Sequence, residues 1–510
     1  MMNQLAIVLD FGGQYSHLIA RNVRDCGVYC EVIPYTVPIE TLLAKNPMAI
    51  ILTGGPNSVY AEGEPTYAKE LLDAKIPLLG ISYGAKLIAQ LAGGKVKAMP
   101  AGEIGNFEMS LSKTPVFEGL GGKVFCRISN EDFIAEMPSG FEVIGKTESC
   151  PHAAIMDAER KIYAFQGLPL EEQAEFSKTI LQNFLIKIAG LKGDWAMAGY
   201  VEKTVAELRE KIGDRRVLCA LSGGVDSTVA AVMVHKAVGD KLSCIFVDHG
   251  LMRKDEGDMV MKMCREKFNM NVVRVNAQER FLEKLSGVTE PEEKRKIIGE
   301  EFIRVFEEEA KKIGSVDFFV QGTIYPDVIE SGAGGSAVIK SHHNVGGLPD
   351  VIDFKEIIEP LRMLFKDEVR RAGLELGIDE EIVWRQPFPG PGLAIRIIGE
   401  ITKEKLDIVR EADAIFREEV KKGGYEGKIN QYFAALTNMR SVGVKGDSRT
   451  YDYAVALRAV ITNDFMTADF ARIPYEILEK TSTRIVNEVP HVNRVLYDVT
   501  AKPPSTVELE

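Results

Sequence analysis

Two short stretches carry residue types that could do chemistry. Residues 221–228 read Leu-Ser-Gly-Gly-Val-Asp-Ser-Thr, an apolar strand ending in Ser222-Gly223-Gly224 and entering a helix at Val225, Asp226 and Ser227. Such a turn offers backbone N–H groups and the positive end of a helix to an anion; glycine lets the main chain approach, and hydroxyls add donors. A Walker-type loop would place a lysine after the second glycine, and none is present. The other stretch, residues 78–94, runs an apolar strand through Gly80-Ile81-Ser82-Tyr83-Gly84 into a helix. That is the layout of a nucleophile elbow with Ser82 at its tip. A serine there needs a base and an orienting acid. Before residue 194 the only histidines are His17, on a helix preceding the elbow, and His152, at the start of a strand.

Both turns need a strand behind them and a helix in front. From residue 4 to 93, short apolar strands (LAIVLD, MAIILTGG, IPLLGIS) alternate with amphipathic helical segments, which predicts a parallel sheet with crossover helices. From 120 to 166 the strands shorten, with a hairpin in HAAIMDAERKIYAFQG turning at Asp157 to Lys161; KTILQNFLIKIAG then reads as a closing helix. LKGDWAM marks a boundary, after which helix, strand, glycine turn, helix and the strand KLSCIFVDHG predict a second α/β domain. Proline and glycine in RQPFPGPGLAIR break the pattern, and the remainder mixes helices and strands as an α+β domain. The expected domains are 1–193, 194–385 and 386–510, within the two to four that the length implies.

Composition narrows the partners. With 62 Lys and Arg against 74 Asp and Glu, the net charge of −12 argues against a general nucleic-acid binder, which needs a basic surface. No apolar run is long enough to span a membrane, and the first residues lack the pattern of a secretion signal, so a cytoplasmic protein is expected. The seven cysteines form no CxxC pair and indicate neither a disulfide framework nor a zinc cluster.

The loop at 222–227 resembles the pyrophosphate loop of the N-type ATP pyrophosphatases, whose fold is adenine-nucleotide α-hydrolase-like. The segments IFVDHGLMRKDE, QGTIYPDVIES, EPLRMLFKDEVR, WRQPFPGPGLAIR, GDSRTYDYAVALRAV and KPPSTVELE resemble, in order and spacing, the GMP synthase family from about residue 200 to the end. The resemblance implies that XMP is converted to GMP: ATP adenylates the purine C2 oxygen, ammonia displaces AMP, and Mg²⁺ screens the phosphates. It implies further that Ser222, Gly223, Gly224, Val225, Asp226 and Ser227 hold the ATP pyrophosphate, that Val247 meets the adenine, and that Asp226 helps place Mg²⁺. Lys294, Arg295 and Lys296 would belong to a mobile lid that closes over leaving phosphate. Arg396, Lys502 and Glu508 would bind XMP, and the last domain would make a homodimer.

The first domain, through LDFGGQY, TGGPNSVY and the elbow, resembles the class I glutamine amidotransferases, which are flavodoxin-like. In that family the elbow reads G-I-C-Y-G, and a later Q-F-H-P-E supplies the histidine base and its glutamate. Here the later segment is Gln166-Gly167-Leu168-Pro169-Leu170, and its register runs without a gap to LQNF at 182–185. Leu168 therefore stands at the histidine position and Leu170 at the glutamate position. The family's S-H-G-D has become Ser129-Asn130-Glu131-Asp132. A serine hydroxyl without a base is too weakly acidic to attack an amide. The expectation is an amidotransferase-like domain without glutaminase activity, fed by free ammonia or by a separate glutaminase. Three other readings stay open: a serine hydrolase at G-x-S-x-G, adenylation of a different purine nucleotide, and a nucleotide-binding regulator without turnover.

Overall fold

Runs of consecutive apolar residues become strands here because both faces of their sheet are covered. The strands β1 (Leu5–Asp10), β2 (Tyr29–Pro34), β3 (Ala49–Leu52) and β4 (Leu78–Ile81) are of this kind, and every residue of β3 and β4 is buried. They continue into β5 (Lys95–Leu111), β6 (Lys123–Glu136), β7 (Glu142–Lys146), β8 (Ala154–Asp157) and β9 (Ile162–Phe165). Together they form one sheet in the order β2-β1-β3-β4-β9-β8-β7-β5-β6. The strands from β2 to β9 in that order are parallel, and the rest pair antiparallel. The expected hairpin is β8 and β9, with Asp157 opposite Ile162.

This is a computed structural model that describes residues 4–13, 15–55, 57–167, 174–330, 354–388, 390–462 and 467–510. The chain falls into two compact units, Met1–Gly199 with Tyr325–Val338, and Tyr200–Ile324 with Ile339–Glu510. In the first, β4 pairs with β9 so that Ile81 lies opposite Phe165. The elbow and the strand leading to Gln166 thus end side by side. Leu168 and Leu170 lie outside the described residues.

The second unit contains a parallel sheet of β10 (Val217–Leu221), β11 (Leu242–Asp248), β12 (Asn271–Asn276), β13 (Phe318–Val320) and β14 (Glu356–Ile358), in the order β12-β11-β10-β13-β14. The strand β10 is central, and its carboxyl end carries the glycine turn, the position at which open α/β sheets bind ligands. A second sheet pairs β15 (Gln431–Lys445) with β16 (Ser448–Ile461), which also pairs with β17 (Asp469–Phe470) and β18 (Val492–Asp498). The second and third expected domains are not separately packed. One buried apolar cluster runs from Leu218 and Ile245 through Leu393 and Ala394 to Val455 and Val492. The short helical turn Gly392–Arg396 supplies the middle of that cluster, so the proline- and glycine-rich stretch stitches two sheets together rather than linking two bodies.

Candidate functional site

Gly224 caps the helix Val225–Val238 without any side-chain acceptor, which leaves the helix end to an anion. Gly223 has φ +78, and a Cβ there would press on Met252 and Phe246. The hydroxyls are already organised around the turn: Ser222 Oγ lies 2.9 Å from Ser227 Oγ and accepts from the Gly224 N–H at 3.2 Å. Ser227 Oγ in turn donates to the Gly224 carbonyl. Gly322, just beyond β13, closes the other wall, since a Cβ there would come within 3.0 Å of the Ser227 nitrogen.

Asp226, in the first turn of that helix, is held by the Lys366 ammonium at 2.7 and 2.5 Å. Lys366 starts the helix Lys366–Glu375 and was not singled out in the sequence, although it lies within EPLRMLFKDEVR. Among the described residues no group of three or more His, Cys, Asp or Glu side chains could hold a metal ion. The Asp226 carboxylate is a hard oxygen donor of the kind a Mg²⁺ would accept beside phosphate oxygens and water. Val247 lies within β11, paired with Val275 of β12, and is buried in the core cluster.

Arg396 is fully buried, with Nε and Nη2 donating to the Glu508 carboxylate at 3.0 and 2.8 Å. Gln431 Nε2 donates to the same carboxylate at 2.9 Å. The Arg396 guanidinium lies over Phe433 at 4.0 Å and Phe388 at 5.3 Å, and its Nη1 has no hydrogen-bond partner. Arg253 lies over the other side of the same group of residues, 4.2 Å from the Phe388 ring and 3.9 Å from the buried Asp413 carboxylate. Burial pushes the Arg253 guanidinium down to about 10, against the pull of Glu256 and with Arg396 adding repulsion. Buried donors without acceptors are costly in a finished structure. Lys502 is fixed by its main chain, which exchanges two hydrogen bonds with Ala468.

The segment expected to belong to a mobile lid lies in the regular helix Pro291–Ile313. Lys294 is fully buried; its ammonium donates to the Ile397 carbonyl at 2.8 Å and pairs with the Glu510 carboxylate. Arg295 donates to the Glu510 main-chain oxygen at 2.7 Å, and Lys296 is exposed. Burial lowers the Lys294 pKa and Glu510 opposes the shift. Lys294 and Arg295 tie the tail to the segment carrying Arg396.

In the first unit the elbow backbone is intact. Ser82 has φ +55 and ψ −110, a strained pair for a residue with a side chain, and its N–H donates to the Phe165 carbonyl at 2.8 Å. A Cβ on Gly84 would collide with the Leu52 carbonyl, and one on Gly80 with the Ile88 side chain, which explains both flanking glycines. Among the described residues the Ser82 hydroxyl has no hydrogen-bond partner. His152 places Nδ1 2.8 Å from the Ile134 carbonyl. Gln166 accepts from the Ile134 N–H and donates to the His152 carbonyl. Lys86, one turn after Ser82, pairs with Asp132, and both are at least 95% buried.

Three family profiles match consecutive parts of the chain: glutamine amidotransferase class-I over residues 7–188, PP-loop domain over 197–292 and GMP synthase C terminal domain over 418–509. Fold and glycine turn together define a PP-loop ATP pyrophosphatase joined to a class I amidotransferase fold. The chain is 60% identical, over all of its length and all of theirs, to proteins of Ruminiclostridium cellulolyticum and Acetivibrio thermocellus named GMP synthase [glutamine-hydrolyzing], and 59% identical to one of Clostridium tetani with the same name. The chain belongs to the GMP synthase family.

Proposed function

We propose that this GMP synthase aminates XMP with ammonia, free or delivered by a separate glutaminase, and does not hydrolyse glutamine itself. One observation carries the proposal: the elbow keeps its strained backbone, but its tip is Ser82 and the two positions that should supply base and acid are Leu168 and Leu170. The glutamine-hydrolysing name of the relatives belongs to those proteins.

In the second unit the main chain of Gly223 and Gly224, the end of the Val225–Val238 helix and the hydroxyls of Ser222 and Ser227 would bind and orient the ATP pyrophosphate. Asp226 would hold Mg²⁺, which screens phosphate charge when bound. Lys366 is placed to neutralise Asp226 before nucleotide arrives and to turn to phosphate afterwards. Arg396, Arg253 and Lys502 would hold XMP, whose phosphate can take the unpartnered guanidinium N–H groups. Exposed Val442, Val444 and Tyr451 on the β15–β16 hairpin support assembly into a homodimer.

The test is glutamate release. With XMP, ATP and Mg²⁺ present, glutamine should yield no glutamate above background, and Ser82→Cys alone should not create the activity. Glutamate appearing in step with AMP would overturn the proposal.

A further inference from the structure

Past β18 the described residues 499–510 form neither helix nor strand, yet their path is shaped around one side chain. Arg458 of β16 is fully buried, and every nitrogen of its guanidinium is engaged by residues 498–507. Nη1 donates to the Thr500 carbonyl at 2.6 Å and lies 3.2 Å from the Asp498 carboxylate. Nη2 donates to Ser505 Oγ at 3.1 Å and to the Thr506 carbonyl at 3.0 Å, and Nε donates to the Val507 carbonyl at 3.4 Å. The Ser505 hydroxyl donates in turn to the Ala501 carbonyl at 3.0 Å.

Arg458 thus holds the chain on both sides of Lys502, at Thr500 and Ser505, and fixes Thr506 and Val507, the two residues before Glu508. It is the register partner of Phe433 on β15, and in an antiparallel pair such partners project from the same face. The Phe433 ring carries the Arg396 guanidinium, which holds the Glu508 carboxylate through Nε and Nη2. Two buried arginines one cross-strand step apart therefore divide the tail, Arg458 taking its main chain and Arg396 its carboxylate. Apolar packing would anchor a tail without taking a guanidinium out of water, a loss that has to be offset bond by bond. What the guanidinium adds is a rigid planar fork that dictates where each carbonyl must lie. A tail fixed in this way holds Lys502 and Glu508 in one arrangement before any nucleotide arrives, so the cost of ordering them does not fall on binding.

We propose that Arg458 is a positioning residue for XMP, acting through Lys502 and Glu508 and touching no substrate itself. The proposal rests on the reading of the tail as part of the XMP site. It is tested by steady-state kinetics of ammonia-dependent GMP formation on the full-length protein, with XMP and ATP varied in turn. Arg458→Met should raise the KM for XMP by about 10-fold or more, the contribution of one hydrogen bond to a charged group, while the KM for ATP stays within about twofold of wild type. Arg458→Lys keeps the charge without the fork and should fall between wild type and Arg458→Met; a full return to the wild-type KM would show that charge alone suffices and would overturn the proposal. Ser505→Ala removes one acceptor and should raise the KM for XMP by about 2- to 10-fold. It carries the test should Arg458→Met fail to fold. Lower turnover with both KM values unchanged, or an equal rise in both, is what a merely structural residue would give and overturns the positioning role. Lys502→Ala separates the two ways of failing. If it leaves the KM for XMP unchanged, the reading of the site falls and the proposal with it; if it raises that KM while Arg458→Met and Ser505→Ala do not, the positioning role alone falls.

Discussion

The turns Gly80–Gly84 and Ser222–Ser227 share a backbone plan: a buried parallel strand, a tight turn needing glycine, and a helix pointing its positive end outward. They differ in what surrounds them. The Ser222 hydroxyl is tied to Ser227 and Gly224, and Asp226 is answered by Lys366, so each of these polar groups has a partner. Ser82 has a strained backbone and no hydrogen-bond partner among the described residues, and the buried Lys86 ammonium one turn on is paired with one oxygen of Asp132. Sheet pairing and close glycine contacts hold the elbow's conformation by themselves, independently of the side chain at its tip.

If the elbow region is now structural, its charges should matter to stability more than to turnover. Lys86→Met should destabilise the first unit by about 3–5 kcal/mol, leaving Asp132 buried without a counter-ion. Replacing both partners, Lys86→Met with Asp132→Leu, should recover most of that. Chemical denaturation measures both, and ammonia-dependent GMP formation by the folded variants should stay within about twofold of wild type. A large loss of turnover in the folded double variant would break the contrast. At the other turn the expectation is reversed. Asp226→Ala or Ser227→Ala should lower AMP formation by the equivalent of about 2.7–4 kcal/mol, roughly 10²- to 10³-fold, with an unchanged melting profile. Near-normal rates in both variants would make the loop a mere turn.

Acid should sharpen the same comparison. His249 follows β11, is buried against Phe281, and accepts the Leu251 N–H on Nδ1, so it is neutral in the folded protein. Burial pushes its pKa from 6.5 down to about 4, although Asp248 and Glu256 pull it upward. The unfolded chain thus binds a proton that the folded chain refuses between these values. Stability falls as pH drops through that window, by up to about 3 kcal/mol below it. Denaturant midpoints followed from pH 7 to 4 should decline for the second unit, and His249→Gln should flatten the decline. An unaltered slope would show that other groups control it.

Much of this was legible because the signals are local. The apolar runs of β3 and β4, the β8–β9 hairpin and the Ser222–Ser227 turn each lie within about ten residues, where pattern and turn chemistry decide structure. What pairs across distance was not legible. Glu256 meets Arg385 across 129 positions, and nothing local distinguishes Glu256 from any acidic residue opening a helix. The basic run at 294–296, expected to belong to a lid, lies in a helix, and a clue to that placement was present. Lys294 shares the buried face of its helix with Ile298, Glu301 and Val305, at the spacing of a core stripe, and a lysine in such a stripe needs an internal partner. That partner, Glu510, lies 216 positions away. The joint core of the last two expected domains was hidden for the same reason, since proline and glycine in sequence mark a break in helix and strand but not a break in packing.

The central claim concerns the source of nitrogen, and isotope competition tests it most directly. Supplied with XMP, ATP, Mg²⁺, ¹⁵N-ammonium and unlabelled glutamine together, the protein should form GMP whose 2-amino group is labelled throughout, at a rate that does not change when glutamine is left out. Unlabelled GMP accumulating in proportion to the glutamine supplied would contradict the account.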